Sequence, residues 1–165
     1  MTKAYLAAAL GLSLGLASIS AQAASVSITT GRADLDESGY DPATVASVRV
    51  GTQILDAGLF DLDAGVEAAT DIDAGETADG EEWNFRSLGG YLSGRTAGPL
   101  YLIGRLGLAR QQIEIDGDSN TATQRSAGIG VGASTGVVRL ELMATRYASE
   151  DDLSDITWLS AGISF

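Results

Sequence analysis

The chain has 165 residues, with 22 acidic residues against 10 basic ones and a formal net charge of −12. Such a charge repels nucleic acid phosphates, so nucleic acid is excluded as a partner. With neither Cys nor His present, disulfide frameworks, thiolate metal sites and the commonest general base are excluded too.

Lys3 is the only early charge, residues 4–19 are apolar and rich in Ala and Leu, and Ala21-Gln22-Ala23 follows as a small-x-small pattern. Together these read as a secretory signal peptide over residues 1–23, cleaved after Ala23. The apolar core is short for a transmembrane helix, and no stop-transfer charges follow it. Residues 24–165 are expected to form one β-barrel domain. Lys3 is the only lysine, so cleavage leaves Arg as the sole strong cation.

After the signal, period-two segments recur, which is the mark of half-buried strands. Eight are expected, at residues 25–33, 44–54, 59–69, 83–93, 100–113, 125–133, 137–148 and 156–165. Long connections at 35–43, 70–82, 114–124 and 149–155 alternate with short ones at 55–58, 94–99 and 134–136. That alternation predicts an up-and-down antiparallel transmembrane β-barrel of eight strands, with short turns on the periplasmic side and long loops outside.

The faces agree with that expectation. Ala46, Val48 and Val50 alternate with Ser47, Arg49 and Gly51; Phe60, Leu62, Ala64 and Val66 alternate with Asp61, Asp63, Gly65 and Glu67. Leu140, Leu142 and Ala144 alternate with Arg139, Glu141, Met143 and Thr145. Small residues accompany the charges, as a tight lumen requires, and the aliphatic face suits lipid. The final stretch sets Leu159, Ala161, Ile163 and Phe165 against Ser160, Gly162 and Ser164. A bare apolar edge is a liability that barrel closure removes, by pairing the last strand with the first.

The Gly-rich penultimate strands, the motif Arg105-Leu106-Gly107-Leu108 and the strand ending in Phe165 resemble the porin-type outer-membrane β-barrel family, in its small eight-stranded OmpA-like or OmpX-like form. The resemblance implies an outer-membrane location in a Gram-negative envelope; the peptidoglycan-binding domain found in the family is not expected in this chain. It also implies that the barrel-assembly machinery reads Leu159, Ala161, Ile163 and Phe165 as its signal.

The polar face carries Arg49, Arg86, Arg105 and Arg139 with Asp61, Asp63, Glu67 and Glu141. Eight strands enclose only enough room for side chains, and unpaired buried charges are costly. A lumen filled by Arg–carboxylate pairs is therefore expected, in a barrel with a structural or surface-interaction role. A narrow porin-type channel for small solutes is the alternative, and a secreted lipocalin-like barrel holding an apolar ligand is a third. The lipocalin form would turn Val48, Leu62 and Leu140 inward.

Acids crowd the long connections, where solvated loops are expected. Divalent cations bridging such acids to lipopolysaccharide phosphates would make lipopolysaccharide a partner, together with outer-membrane lipid. Asp116, Asp118 and Asn120 match the opening of a calcium loop, but Thr121 replaces its Gly and Ala127 its closing Glu. No cofactor and no catalysis are expected. Trp83, Phe85, Tyr147 and Trp158 near the long-loop end, and Phe60, Tyr91, Tyr101 and Phe165 near the other, suggest two interfacial girdles.

Overall fold

The computed structural model describes residues 24–148 and 154–165. The signal segment expected over residues 1–23, and the loop acids Glu150, Asp151 and Asp152, lie outside the described residues. The strands are β1 (Ala24–Leu35), β2 (Ala43–Asp56), β3 (Phe60–Asp73), β4 (Gly75–Glu76), β5 (Glu82–Thr96), β6 (Leu100–Ile115), β7 (Asp118–Ser134), β8 (Arg139–Ala148) and β9 (Ile156–Ser164). β4 is a two-residue extension that pairs with the start of β5. The other eight run in the order β3-β2-β1-β9-β8-β7-β6-β5, and β3 also pairs with β5. The sheet is therefore a closed, eight-stranded, antiparallel barrel.

The seam is β1 against β9, from Ser27↔Ser164 to Leu35↔Ile156. It is finished by a reciprocal pair: the Val26 amide donates to the Phe165 carbonyl at 3.2 Å, and the Phe165 amide donates back at 2.9 Å. Partners followed from Ser25 through Gly51, Gly65, Tyr91, Gly107, Ser126, Tyr147 and Ile156 return to β1 at Leu35, ten residues further on. With ~3.3 Å per residue and ~4.8 Å between strands, that stagger sets a strand tilt of about 41° and a backbone radius of about 8 Å.

Alternation then divides the residues. Leu106, Ile129, Leu140 and Leu142 point outward and are 57–74% exposed. By the same tilt, the outward large apolar residues from Phe60 and Leu100 up to Leu88 span a band about 23 Å tall, close to the lipid-facing band of such barrels, with Ile72 above it. Among the described residues the outward charged side chains lie at the edges of that band or beyond them. Val48, Leu62 and Leu140 share this outward face. The lipocalin-like alternative needed them inside and is contradicted.

Three other expectations are corrected. Residues 114–124 are not a long loop. β6 and β7 stay paired to Ile115↔Asp118 and turn on Asp116 (φ 48°) and Gly117 (φ 86°) alone. Two successive positive φ angles make this a type I′ hairpin turn, for which Asp-Gly is a preferred pair. Residues 70–82 are also partly ordered as strand, because β3 runs on to Asp73 and β4 follows. Finally, the aromatic girdles fail for most of their members. Trp83, Phe85, Tyr101, Tyr147 and Trp158 are buried, and Tyr91 lies against inward Gly51 and Gly65. Phe60 and Phe165 alone of that set are exposed.

The inward glycines receive the large side chains. A Cβ at Gly132 would lie 2.3 Å from Cζ of Tyr101, and one at Gly51 would lie 2.6 Å from the Tyr91 hydroxyl. Overpacking of this kind costs about 1–3 kcal/mol. Gly132→Val should lower unfolding stability by that amount in urea titrations of the refolded barrel. Combining it with Tyr101→Ala should recover part of the loss, and strict additivity would argue against the contact.

Candidate functional site

The candidate site is the lumen, which is filled in layers from the short-turn mouth upward. At the mouth, Arg95 on β5 faces Asp61 on β3, its Cα partner in the ladder. Its guanidinium lies 3.1 Å from Asp61 and 2.9 Å from Asp63. The Gln53 amide donates to the other Asp61 oxygen at 3.0 Å. Spacing two on a strand puts both carboxylates on one face, so one planar cation engages both.

The middle layer is the most enclosed. Arg49, 3% exposed, reaches Glu141 at 3.4 Å, and the Tyr101 hydroxyl is 3.5 Å from the other Glu141 oxygen. Arg105 lies 3.9 Å from Glu67 and stacks over the Tyr91 ring at 5.0 Å. Thr29 and Ser47 hydroxyls meet at 2.6 Å. A cavity of about 20 Å³ beside Glu67, Tyr91, Arg105, Ser126 and Thr145 has room for a single water molecule.

Above the charges the lumen turns apolar. Val45, Phe85, Ile113, Tyr147, Ile156 and Trp158 form one buried cluster with Trp83 at its top. Phe85 and Tyr147 rings pack at 6.5 Å with a 59° tilt. Trp83 is held by its indole N–H, which donates to the Asp41 carbonyl at 2.8 Å. That bond fastens the 36–42 loop across the upper mouth. Gly75 must be glycine here, because a Cβ would sit 2.0 Å from the indole nitrogen. Gln111 and Gln124 are fully buried on neighbouring strands at the level of this cluster.

Arg49, Asp61, Asp63, Glu67, Arg105, Arg139 and Glu141 thus lie on the inward face, Arg139 two residues below Glu141 on β8. Arg86 does not. It alternates with inward Phe85 and Ser87 and is exposed on the outside, so its place in the lumen set is corrected. Arg95 was missed because residues 94–99 read as a turn. The signal that finds it is the unbalanced Asp61-x-Asp63 pair, which demands a cation across the ladder. Leu159, Ala161 and Ile163 face outward on β9, with Phe165 at its lower edge. Asp116 sits in the hairpin turn, while Asp118 and Asn120 lie along β7, so the calcium-loop reading loses its loop. No cluster of three or more metal-ligating side chains occurs among the described residues.

No protein-family model matches the sequence, and no curated protein matches it. Solved structures do. Neisserial surface protein A is 16% identical over 86% of this chain and 94% of its own, with a TM-score of 0.55. The attachment invasion locus protein of Yersinia pestis, in complex with the heparin analogue sucrose octasulfate, is 12% identical over 87% and 97%, also at 0.55. The outer membrane enzyme PagL is 14% identical over 86% and 98%, at 0.57. At these identities the likeness is one of fold: this chain folds as a small eight-stranded outer-membrane-type barrel.

Removing one member of a buried ion pair strands the other, at a cost of about 3–5 kcal/mol. Arg49→Met should therefore destabilise the refolded barrel by about 3 kcal/mol. Adding Glu141→Gln should return part of that, as read in a double-mutant cycle by tryptophan fluorescence. Equal effects with and without Glu141 would mean the two side chains do not interact.

Proposed function

We propose that the chain is an outer-membrane protein with a structural or surface-interaction role, and that its barrel is a closed pillar rather than a conduit. The observation that carries this reading is the filled interior. Arg–carboxylate contacts occupy the lower and middle lumen, and the cluster capped by Trp83 occupies the top. The outward apolar band supports the membrane location, with export directed by residues 1–23. The partners in this reading are outer-membrane lipid, lipopolysaccharide and the barrel-assembly machinery.

The reading is also non-catalytic. PagL is an enzyme with this fold, so the fold alone does not decide. What supports the absence of catalysis is the lack of any histidine and the engagement of Asp61 and Asp63 by Arg95. Those contacts occupy carboxylate oxygens that a general base would need free.

Two measurements test the proposal. Purified protein in planar bilayers should show no large, stable conductance, and such an open state would favour the narrow channel instead. Deletion of Phe165 removes its reciprocal bonds with Val26 and the outward aromatic at the seam. It should reduce outer-membrane insertion more than export, as read by fractionation and heat-modifiable gel migration. Unchanged surface levels would remove Phe165 from the assembly signal.

A further inference from the structure

Among the described residues, five of the nine arginines point outward: Arg32, Arg86, Arg110, Arg125 and Arg146. They are not scattered. The strand register places all five within about 6 Å of one height on the barrel axis, from the level of outward Leu88 upward and just above Leu108 and Leu159. Four of them fall on four consecutive strands. Arg86 pairs with Gln112, two residues from Arg110. Arg110 pairs with Thr123, two from Arg125. Arg125 pairs with Ala148, two from Arg146. Each arginine is thus the diagonal neighbour of the next, about 7–8 Å away at the backbone. Thr157, Arg32, Thr44 and Thr70 complete the circle at the same level, on β9, β1, β2 and β3.

We propose that this arc is a docking surface for the phosphorylated headgroups of lipids in the leaflet on the long-loop side. The proposal rests on the membrane reading above and adds the lipid chemistry. Three observations converge on it. The arc sits at the upper edge of the 23 Å apolar band, the depth at which headgroups lie. The chain's charge runs strongly the other way at −12, yet every outward arginine occurs at this one level. The side chains are accessible, with Arg32 65% and Arg146 60% exposed.

Guanidinium forks spaced along an arc suit phosphate, which accepts two parallel N–H bonds from each fork. Acids above the arc touch two of its members, Arg32 and Arg146. Asp34 contacts Arg32 at 3.3 Å, and Asp155 and Asp36 contact Arg146 at 2.8 and 3.5 Å. Exposed pairs of this kind contribute little, so they orient Arg32 and Arg146 without preventing phosphate from competing for those guanidinium groups.

The test uses the full chain in detergent micelles, titrated with bisphosphorylated lipid A and with its dephosphorylated form, and read by native mass spectrometry. The triple variant R86Q/R110Q/R125Q leaves the lumen, Arg32 and the loop-bracing Arg146 untouched. Wild type should prefer the phosphorylated lipid, and the variant should bind it about ten-fold or more weakly. Both proteins should insert equally into phosphatidylcholine vesicles with the same heat-modifiable migration. Equal lipid A binding by the variant, or equal binding of the dephosphorylated lipid by wild type, would overturn the docking surface while leaving the membrane reading intact. Failure of wild type to insert at all would remove the membrane reading, and the docking surface with it.

Discussion

Closure of the backbone ladder is the constraint from which the other features follow. A sheet that ends on an unpaired apolar strand exposes a row of unmet N–H and C=O groups, which neither lipid nor water-borne neighbours tolerate well. Pairing β9 with β1 removes that row. The ten-residue stagger around the ring then leaves no freedom in diameter. Eight strands at about 41° enclose a space that side chains must fill. The outer surface must in turn be whatever suits the solvent around it.

Two orthogonal patterns meet this constraint. Across the wall, alternation sends aliphatic residues out and small or charged residues in. Along the axis, the interior changes from ionic at the short-turn mouth to apolar under the long loops. Charges inside so narrow a wall are stable only when engaged, and Arg49, Arg95 and Arg105 each lie against a carboxylate. Tyr91 and Tyr101 lie among the charges, each against inward glycines, with Arg105 over the Tyr91 ring and the Tyr101 hydroxyl near Glu141. The outer wall has an axial pattern of its own, aliphatic up to Leu88 and cationic just above it.

Much of this was legible because a period of two is rigid. Once Val48 and Val50 are assigned outward, Arg49 must point inward. The same logic places Glu67, Arg105 and Glu141. Legibility failed where one face stops being apolar. In residues 111–124 the sequence Gln111-Gln112 and the run Ser119 to Gln124 are polar on both faces, since the hairpin rises beyond the hydrophobic band. Its Asp-Gly turn looked instead like the opening of a calcium loop. Arg86 was misassigned for a related reason. Trp83 and Phe85 resembled an outward aromatic girdle, which sends their neighbour Arg86 inward, whereas they seal the lumen from within. Arg95 was hidden because strand pairing outlasts the apolar pattern at the mouth, and only the β3–β5 register reveals it.

The central claim is that the aliphatic face meets hydrocarbon while the charged face is sealed inside. The chain has no cysteine, so single spin labels can be introduced without background. Labels at Leu106 and Leu142 should be accessible to molecular oxygen and shielded from a water-soluble nickel chelate in lipid vesicles. A label at inward Thr145 should be shielded from both. If the chelate reached Leu106 and Leu142 as freely as it reaches the turn residue Gly58, the barrel would not be membrane-embedded.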